Sequence, residues 1–458
     1  MRQKDHMDYA MELDIAVKST TPVPMLGKEF GYYVGAGNPL FSVGGSVLRE
    51  ALGQILKRYH VMKGYYLAET PIIARTTLYE VSGHLQYYKE NMFLVNIEGD
   101  EYAIKPMNCP FHILILMNLL QKYRSKVPLP FKIFELGKVH RYEIAGALRG
   151  LLRVRAFTQD DAHIFSPEEH VLPTIIEVFD MMKEVYEKVF HIPVTAETVK
   201  LRLSLSEKSK IGTEFMGEKE QWDFAEEVLF KAAEEVKRKY GVEYFAEEGE
   251  AAFYGPKIDV VVYEEDGKEW QIGTAQFDFN LPKRFKLLEL VKETHGVESL
   301  YMVHRALLGS LERFLGIYLE MYKGRLPFTL APLQALIVKI KGGGETDSKV
   351  EELASKVINV LKEMGIRVAD IDVSKTSLSK EVRRIESTVK PPLMIYVGAK
   401  EAEKGKVVAR PWNFENKRRD QVEMDVEELP RLVEKMEKGV VEMIGVPVRI
   451  PTAMTYMV

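Results

Sequence analysis

The sequence predicts an α+β core, with an antiparallel sheet flanked by helices, followed by a smaller C-terminal α/β domain. Two patterns carry this reading. Ahead of the stretch GRLPFTLAP, extended runs succeed one another through short turns, among them Asp266-Gly267, so neighbouring strands pair locally and run antiparallel. Beyond that stretch, in which Pro327 and Pro332 flank an extended linker, strands and helices alternate regularly, the signature of βαβ units on a mostly parallel sheet. The chain has 458 residues, 46% hydrophobic and 28% charged, enough for two folded cores.

In chain order, residues 1–45 read as a leader ending in the glycine-rich GYYVGAGNPLFSVGG. A helix starts near Ser46, because Leu48, Leu52, Ile55 and Leu56 recur at helical spacing. GYYLAETPII is a strand with Pro71 near its end, and EYAIKPMNCP a strand leading into the helix FHILILMNLLQKY. LPFKIFELGKVHRYE and LLRVRAFTQDDAHIF are extended runs joined by IAGALRG as a hairpin-like pair. Residues 167–190 form a helix with Ile175, Ile176, Phe179, Met182 and Val185 on one face. The polar, helix-rich stretch 206–250 reads as an insertion on the sheet, followed by the strands KIDVVVYEED, KEWQIGTAQFDFN and SLYMVHRALLGS. In the second unit strands fall at 334–340, 366–372, 393–397 and 406–410, helices at 348–364 and 379–388, and a closing helix at 427–438. The chain thus divides into a leader (1–45), a core (46–328), a C-terminal domain (333–430) and an apolar, Pro-containing tail (431–458).

The net charge of −4 excludes a bulk basic coat for nucleic acid, though not a local basic patch. No apolar run approaches the roughly 18 residues of a membrane span, and the start MRQKDHMDYAMELDIAVK lacks the apolar core of a signal peptide. Cys109 is the single cysteine, so no disulfide forms within the chain and a reducing cytoplasm is the expected compartment.

Chemistry concentrates between His140 and Phe165, in HRYEIAGALRGLLRVRAFTQDDAHIF. Arg141, Arg153 and Arg155 suit phosphate oxygens, because a planar guanidinium donates in pairs. Phe157 offers a flat face to a base ring, and Asp160, Asp161 and His163 suit a metal or a small polar substrate. Together they point to an enzyme that activates a substrate with ATP.

Six strings in order are specific: ETPII, KPMNCPFH, KVHRYE through LRVRAFTQDDAHIF, AAFYGPKIDV, QIGTAQFDFN and MVHRALLGSLERFLG. Over about 45–430 they make the chain resemble the class II aminoacyl-tRNA synthetases, and within them the threonyl-tRNA synthetases. The resemblance implies the class II synthetase fold and ATP-dependent attachment of L-threonine to tRNA(Thr) through a threonyl-adenylate, with Mg2+ accompanying ATP. It assigns Arg141 to the α-phosphate and the attacking carboxylate, Glu143 to the adenine amino group, and Phe157 and Arg313 to the two adenine faces. Arg313 would also reach the γ-phosphate, and Arg153 is a further phosphate contact. Cys109, His163 and His304 match the family's zinc ligands, one Zn2+ per chain, with a position left open for substrate. The family's pattern does not use His112, which therefore reads as structural.

By the same resemblance Asp161 would accept the threonine hydroxyl proton and Gln159 would hold the carboxylate or phosphate end. Tyr254 and Gln271 would line the amino-acid pocket, with Gln276 and Lys257 as further candidates. His84, in VSGHL, matches a histidine assigned as base in transfer to tRNA. The C-terminal domain resembles the anticodon-binding domain, with Glu401 and Arg410 where the threonyl enzymes read anticodon bases. Lys375, Lys380, Arg383, Arg384 and Lys390 would track the tRNA backbone.

The resemblance further implies a homodimer joined through the first motif, around ETPII. Threonyl enzymes usually carry an N-terminal domain that hydrolyses seryl-tRNA, and residues 1–45 are too few for one. Serine lacks only one methyl, which binding distinguishes by about 10–200-fold. Serine is therefore expected to be misactivated and cleared by a separate editing protein. Phe111 stands where the family has glycine, and Arg149 where histidine is usual. Two alternatives stay open: a synthetase for another amino acid, opposed by the zinc ligands and Asp161, and a non-catalytic relative, opposed by the retained arginines and metal ligands.

Overall fold

The computed structural model describes residues 4–264 and 266–451; residues 452–458 of the expected tail lie outside the described residues. An eight-stranded sheet carries the first unit. Its strands are β1 (Tyr66–Leu67), β2 (Phe131–His140), β3 (Ala156–Ser166), β4 (Val199–Leu205), β5 (Glu243–Glu248), β6 (Lys257–Tyr263), β7 (Glu269–Asp278) and β8 (Tyr301–Ser310). Their spatial order is β5-β4-β6-β7-β8-β3-β2-β1. The inner pairs are antiparallel; β2 with β3, β6 with β7 and β7 with β8 are neighbours in sequence, as expected, whereas β8 with β3 and β6 with β4 join remote segments, and only the outermost pairs, β5 with β4 and β1 with β2, are parallel.

Alternation along the strands sends successive side chains to opposite faces. One face carries Phe134, Ala162, Ile164, Val303 and Phe277 into the main core. Four of the helices covering it are α2 (Val43–Met62), α4 (Glu168–Lys188), α5 (Lys219–Tyr240) and α6 (Leu311–Met321). Leu48, Leu52, Ile55 and Leu56 of α2 are fully buried there, each contributing ~1.5–3 kcal/mol of hydrophobic stabilisation. The other face is covered by α3 (Cys109–Tyr123), which packs Ile113, Leu116 and Leu120 against Phe131, Ile133, Phe165 and Met302. The sequence-predicted site residues Asp161, His163, His304 and Gln276 share this second face.

The expected leader is part of the core. Its helix α1 (His6–Glu12) starts at a capping box of Asp5 and Asp8 and buries Met7 and Ala10. The following chain buries Ile15 so closely against α2 that a Cβ on Gly45 would lie 1.9 Å from the Ile15 carbonyl oxygen. The expected strand GYYLAETPII splits at its proline: Tyr66–Leu67 joins the main sheet, and Ile73–Arg75 joins a separate three-stranded sheet with Phe93–Ile97 and Asp100–Ile104. The stretch 206–250 is more than helical. Helix α5 is the crossover of a βαβ unit, and β5 extends the main sheet in parallel with β4.

The C-terminal unit follows the alternation read from the sequence. Its strands β9 (Ala335–Ile340), β10 (Val368–Asp372) and β11 (Leu393–Gly398) are parallel, and β12 (Lys406–Asn413) is antiparallel to β11. Helices α7 (Thr346–Glu363) and α8 (Leu378–Ser387) connect them. The closing helix α9 (Leu429–Ile444) is longer than its expected 427–438 and runs through the 430/431 boundary. Its first half packs Leu429 and Val433 in the C-terminal core, whereas Val440, Met443 and Ile444, then Val448 and Ile450, join the core of the first unit. The described part of the tail is thus a clasp between the two units.

Candidate active site and metal centre

Register assembles the centre of the site. His163 on β3 pairs directly with His304 on β8, and His304 pairs with Gln276 on β7, so the three share one face of the sheet. The first residue of α3, Cys109, comes down onto this row. One ligand atom from each of Cys109, His163 and His304 lies within 4.8 Å of the others, and all three residues are buried. Each imidazole has one nitrogen engaged by a protein partner. Nδ1 of His163 meets Nδ1 of His112 at 2.7 Å, and Nε2 of His304 meets Oδ2 of Asp278 at 2.8 Å. His112 is held in turn by Glu135, at 3.2 Å from Nε2, and Glu135 by Lys105, also at 3.2 Å. A buried chain therefore backs the first histidine, and a carboxylate the second, which is how metal-ligating imidazoles are oriented.

Burial, then the Asp161 and Asp278 carboxylates, raise the Cys109 thiol well above its ordinary value. Burial, then the neighbouring His304 and His112, push His163 well below the ordinary imidazole range. A buried thiol and two buried imidazoles among carboxylates form a donor set that a divalent cation would complete.

Asp161 lies on the same face of β3 as His163, with Oδ2 accepting from Asn108 Nδ2 at 2.9 Å. Burial raises its pKa, against the stabilising pull of His112 and Asn108. Tyr254 lies over His304, ring centres 4.8 Å apart, and its hydroxyl donates to Gln276. Asp160, one residue from Asp161, faces the opposite side. It accepts from the backbone N–H groups of Leu307 and Leu308 at the irregular end of β8, so alternation separates two adjacent aspartates into a site residue and a strand anchor.

The arginine-rich end lies farther along the hairpin. Arg141 stacks over Phe157, 5.2 Å from the ring centre, and is anchored through Nε on the Pro106 carbonyl at 3.1 Å. Glu143 accepts from Arg153 Nε at 2.9 Å. Arg313, near the start of α6, donates to the Leu152 carbonyl at 3.3 Å, and burial, then the charge of Arg153, lowers its pKa. These five residues converge on one loop. Gln159 pairs with Ser310 between them and the Cys109, His163 and His304 cluster.

Other sequence-predicted residues lie elsewhere in contact terms. Gln271 belongs to a neighbouring cluster, donating to Asp259 at 2.8 Å and accepting from Arg202 at 2.8 Å. Lys257 also pairs with buried Asp259, at 2.5 Å. His84 is fully buried, with Nδ1 against Ser82 Oγ at 2.7 Å and Nε2 buried without a hydrogen-bond partner. Burial first, then His304 and Arg141, hold it at about 3. Phe111 packs in a cluster with Tyr79, Met92 and Ala103, and Arg149 forms a backbone bridge with Arg153. In the C-terminal unit, Glu401 accepts from its own helix's Gly398 N–H at 3.0 Å, and Arg410 lies over Tyr396. Lys390 does not lie on an RNA-facing surface: it is buried between the two units, over the Tyr9 ring and 3.6 Å from Glu12. Sequence reasoning passed over His112, Asn108 and Asp278 as site residues, although all three stand in the quoted motifs.

Residues 93–322 match the class II tRNA synthetase core domain of the G, H, P, S and T group, and residues 334–436 match an anticodon-binding domain. A threonine–tRNA ligase catalytic subunit from Aeropyrum pernix is 51% identical over 466 residues, covering 100% of this chain and 99% of its own. A threonine–tRNA ligase from Aquifex aeolicus is 42% identical over 391 residues, 84% of this chain and 57% of the longer relative. A crystal structure of a threonyl-tRNA synthetase from Aeropyrum pernix superposes with a TM-score of 0.94 at 51% identity, over 98% of this chain and 99% of that one. The chain belongs to the threonyl-tRNA synthetases, the class II ligases that join threonine to tRNA.

Proposed function

We propose that this chain activates threonine as a threonyl-adenylate, with zinc held by Cys109, His163 and His304, and transfers it to tRNA(Thr). The buried Cys/His/His cluster beside Asp161 carries the reading. A thiolate and two imidazoles suit Zn2+, and three protein ligands leave a fourth position free. Bound there, zinc would offer that position to the threonine amino and hydroxyl groups. Asp161 would accept the hydroxyl proton, and Tyr254 and Gln276 would wall the pocket. Gln159, between the two halves of the site, would hold the reacting carboxylate, and Gln271 would line the far end.

ATP, with Mg2+, would lie in the loop of arginines. Arg141 would hold the α-phosphate as the threonine carboxylate attacks and pyrophosphate leaves, a step that depends on fixed cations stabilising spreading negative charge. Phe157 and Arg313 would sandwich adenine, and Glu143, now paired with Arg153, would turn to the adenine amino group as Arg153 turns to phosphate. His84, neutral at physiological pH with a free buried Nε2, would serve transfer to the tRNA ribose. Glu401 and Arg410 would read the anticodon.

Three further expectations attach to this reading. A homodimer would form along the first motif, where Tyr66 and Leu67 at the edge of the main sheet, and Ile73 in the edge strand of the three-stranded sheet with Ile72 just before it, are each about half exposed. The site would admit serine, which also has the amino and hydroxyl groups, so a separate protein would clear seryl-tRNA. The name of the Aeropyrum pernix relative, a catalytic subunit matched over its whole length, is consistent with such a division of labour. The compartment would be the cytoplasm; among the described residues no helix is long and apolar enough to cross a membrane.

The test is amino-acid-dependent ATP–pyrophosphate exchange with threonine, serine and valine, on metal-replete and chelated protein. Threonine should support exchange, serine should be weaker by about 10–200-fold, and valine should fail by about 10⁴-fold, because it leaves the hydroxyl partners unpaired. Exchange that survives complete zinc removal, or that accepts valine nearly as well as serine, overturns the reading.

His112 provides a narrower test. His112→Ala removes the partner of His163 Nδ1 and should weaken zinc binding by about 10–100-fold, measured by competition against a chelator. Unchanged zinc affinity would leave His112 as packing only.

A further inference from the structure

The loop that carries Arg153 is held from behind by the N-terminal segment. The imidazole of His6 is 3% exposed and sits between two partners. Nδ1 is 2.8 Å from Glu320 Oε1, near the end of α6, and Nε2 accepts from the backbone N–H of Leu151 at 3.2 Å. The two contacts fix one tautomer: Nδ1–H donates to the Glu320 carboxylate, so Nε2 keeps the lone pair that Leu151 needs. The approach is tight. Gly150 has φ +50°, and a Cβ there would lie 2.2 Å from His6 Nε2.

Leu151 and Leu152 are buried, so their backbone groups must find protein partners. The Leu152 carbonyl takes Arg313, and the Leu151 N–H takes His6. The next residue is Arg153. At the loop's other end, the Gly37 carbonyl accepts from the N–H groups of Arg155 at 2.7 Å and Ala156 at 3.2 Å. Helix α1 is itself well held, by its capping box, by Met7 and Ala10 in the core, and by Lys390 of the C-terminal unit over Tyr9.

We propose that His6 is a positioning residue for ATP binding: by accepting from Leu151 it sets the backbone from which Arg153 projects and on which Arg313 rests. The inference rests on the reading above that ATP lies against Arg141, Arg153 and Phe157. His6 touches no substrate in this scheme and acts only through the loop.

The experiment compares Michaelis constants for ATP and threonine in pyrophosphate exchange for His6→Ala, His6→Gln, His6→Asn and Arg153→Ala. Loss of the acceptor in His6→Ala should raise the KM for ATP about tenfold with the KM for threonine unchanged. Gln places a carbonyl oxygen near the position of Nε2 and should return the value to within about threefold of the parent protein. Asn reaches only the Nδ1 position, keeps the Glu320 contact and should behave like alanine. Should the alanine variant fail to fold, the Gln and Asn pair carries the comparison alone. An unchanged KM for ATP in His6→Ala, a parallel rise for threonine, or rescue by Asn as good as by Gln overturns the inference. Arg153→Ala separates the two levels. If it raises the KM for ATP while His6→Ala does not, only the His6 inference fails; if it does not, the placement of ATP fails and takes the inference with it.

Discussion

Cys109→Ala is expected to yield a folded protein without bound zinc whose threonine-dependent pyrophosphate exchange falls by about 10³-fold or more. Cys109 is the only soft ligand in the cluster and sits at the first turn of α3, where the positive end of the helix dipole favours a thiolate. Without a metal the thiol has no reason to ionise: it is buried, and Asp161 and Asp278 raise its pKa further. Two imidazoles alone, each with one nitrogen already committed to His112 or Asp278, hold a cation weakly. On the proposed function the metal contacts the substrate directly, a contact worth several kcal/mol, and ~4 kcal/mol corresponds to about 10³ in rate. The fold should survive, because Cys109 is a small member of a cluster dominated by Ile113, Leu116, Phe131 and Phe165. Metal analysis of the purified variant, together with exchange kinetics, checks both halves. A variant that retains stoichiometric zinc, or that loses zinc and still activates threonine, would remove the metal from the selection of the amino acid.

The residue types of this site were legible in the sequence, and their grouping was partly so. The hairpin of β2 and β3 follows from two extended runs and a short turn, and the candidate metal ligands stand in recognisable strings. What one dimension hides is facing. Asp160 and Asp161 look equivalent in QDDAH, yet the period of two puts one on each side of the sheet. His112 reads as structural in the sequence, and the structure adds what it supports: α3 begins at Cys109, so Cys109 and His112 stand three residues apart on one helical face, and the second backs His163. Long-range pairings were the other blind spot. The parallel edge strand β5, EYFAEE, has no apolar–polar alternation and ends in two glutamates, and it joins the sheet where α5 packs on the core and returns the chain beside β4. The leader's apolar residues are interrupted by prolines and glycines and keep no sustained period, and only the meeting of Met7, Ala10 and Ile15 with α2 and α6 makes it core. Helix α9 was cut short in the same way, since its second half buries Val440 and Ile444 against a unit remote in sequence.

Arg141→Ala should lower the rate of threonine activation by about 10²–10³-fold, with most of the loss in kcat. The geometry argues for a transition-state role over simple binding. Arg141 is held before substrate arrives: Nε is fixed on the Pro106 carbonyl, the guanidinium lies over Phe157, and Tyr88 flanks it 5.7 Å from its ring centre. A cation fixed in this way needs no reorganisation when negative charge spreads over the phosphorus centre, and its contribution is larger there than in the ground state. Arg153 differs. Its side chain is 57% exposed and pairs with Glu143, so it must give up that partner to reach phosphate, and its loss should fall mainly on the KM for ATP. Arg141→Lys should not restore the rate, because an ammonium cannot both keep the Pro106 contact and donate in the planar, paired geometry that a phosphate and a carboxylate together demand. Single-turnover measurement of adenylate formation separates the outcomes. A fall confined to the KM for ATP would make Arg141 a binding residue like Arg153, and full rescue by lysine would mean that charge alone, without the fixed plane, is what the reacting phosphate requires.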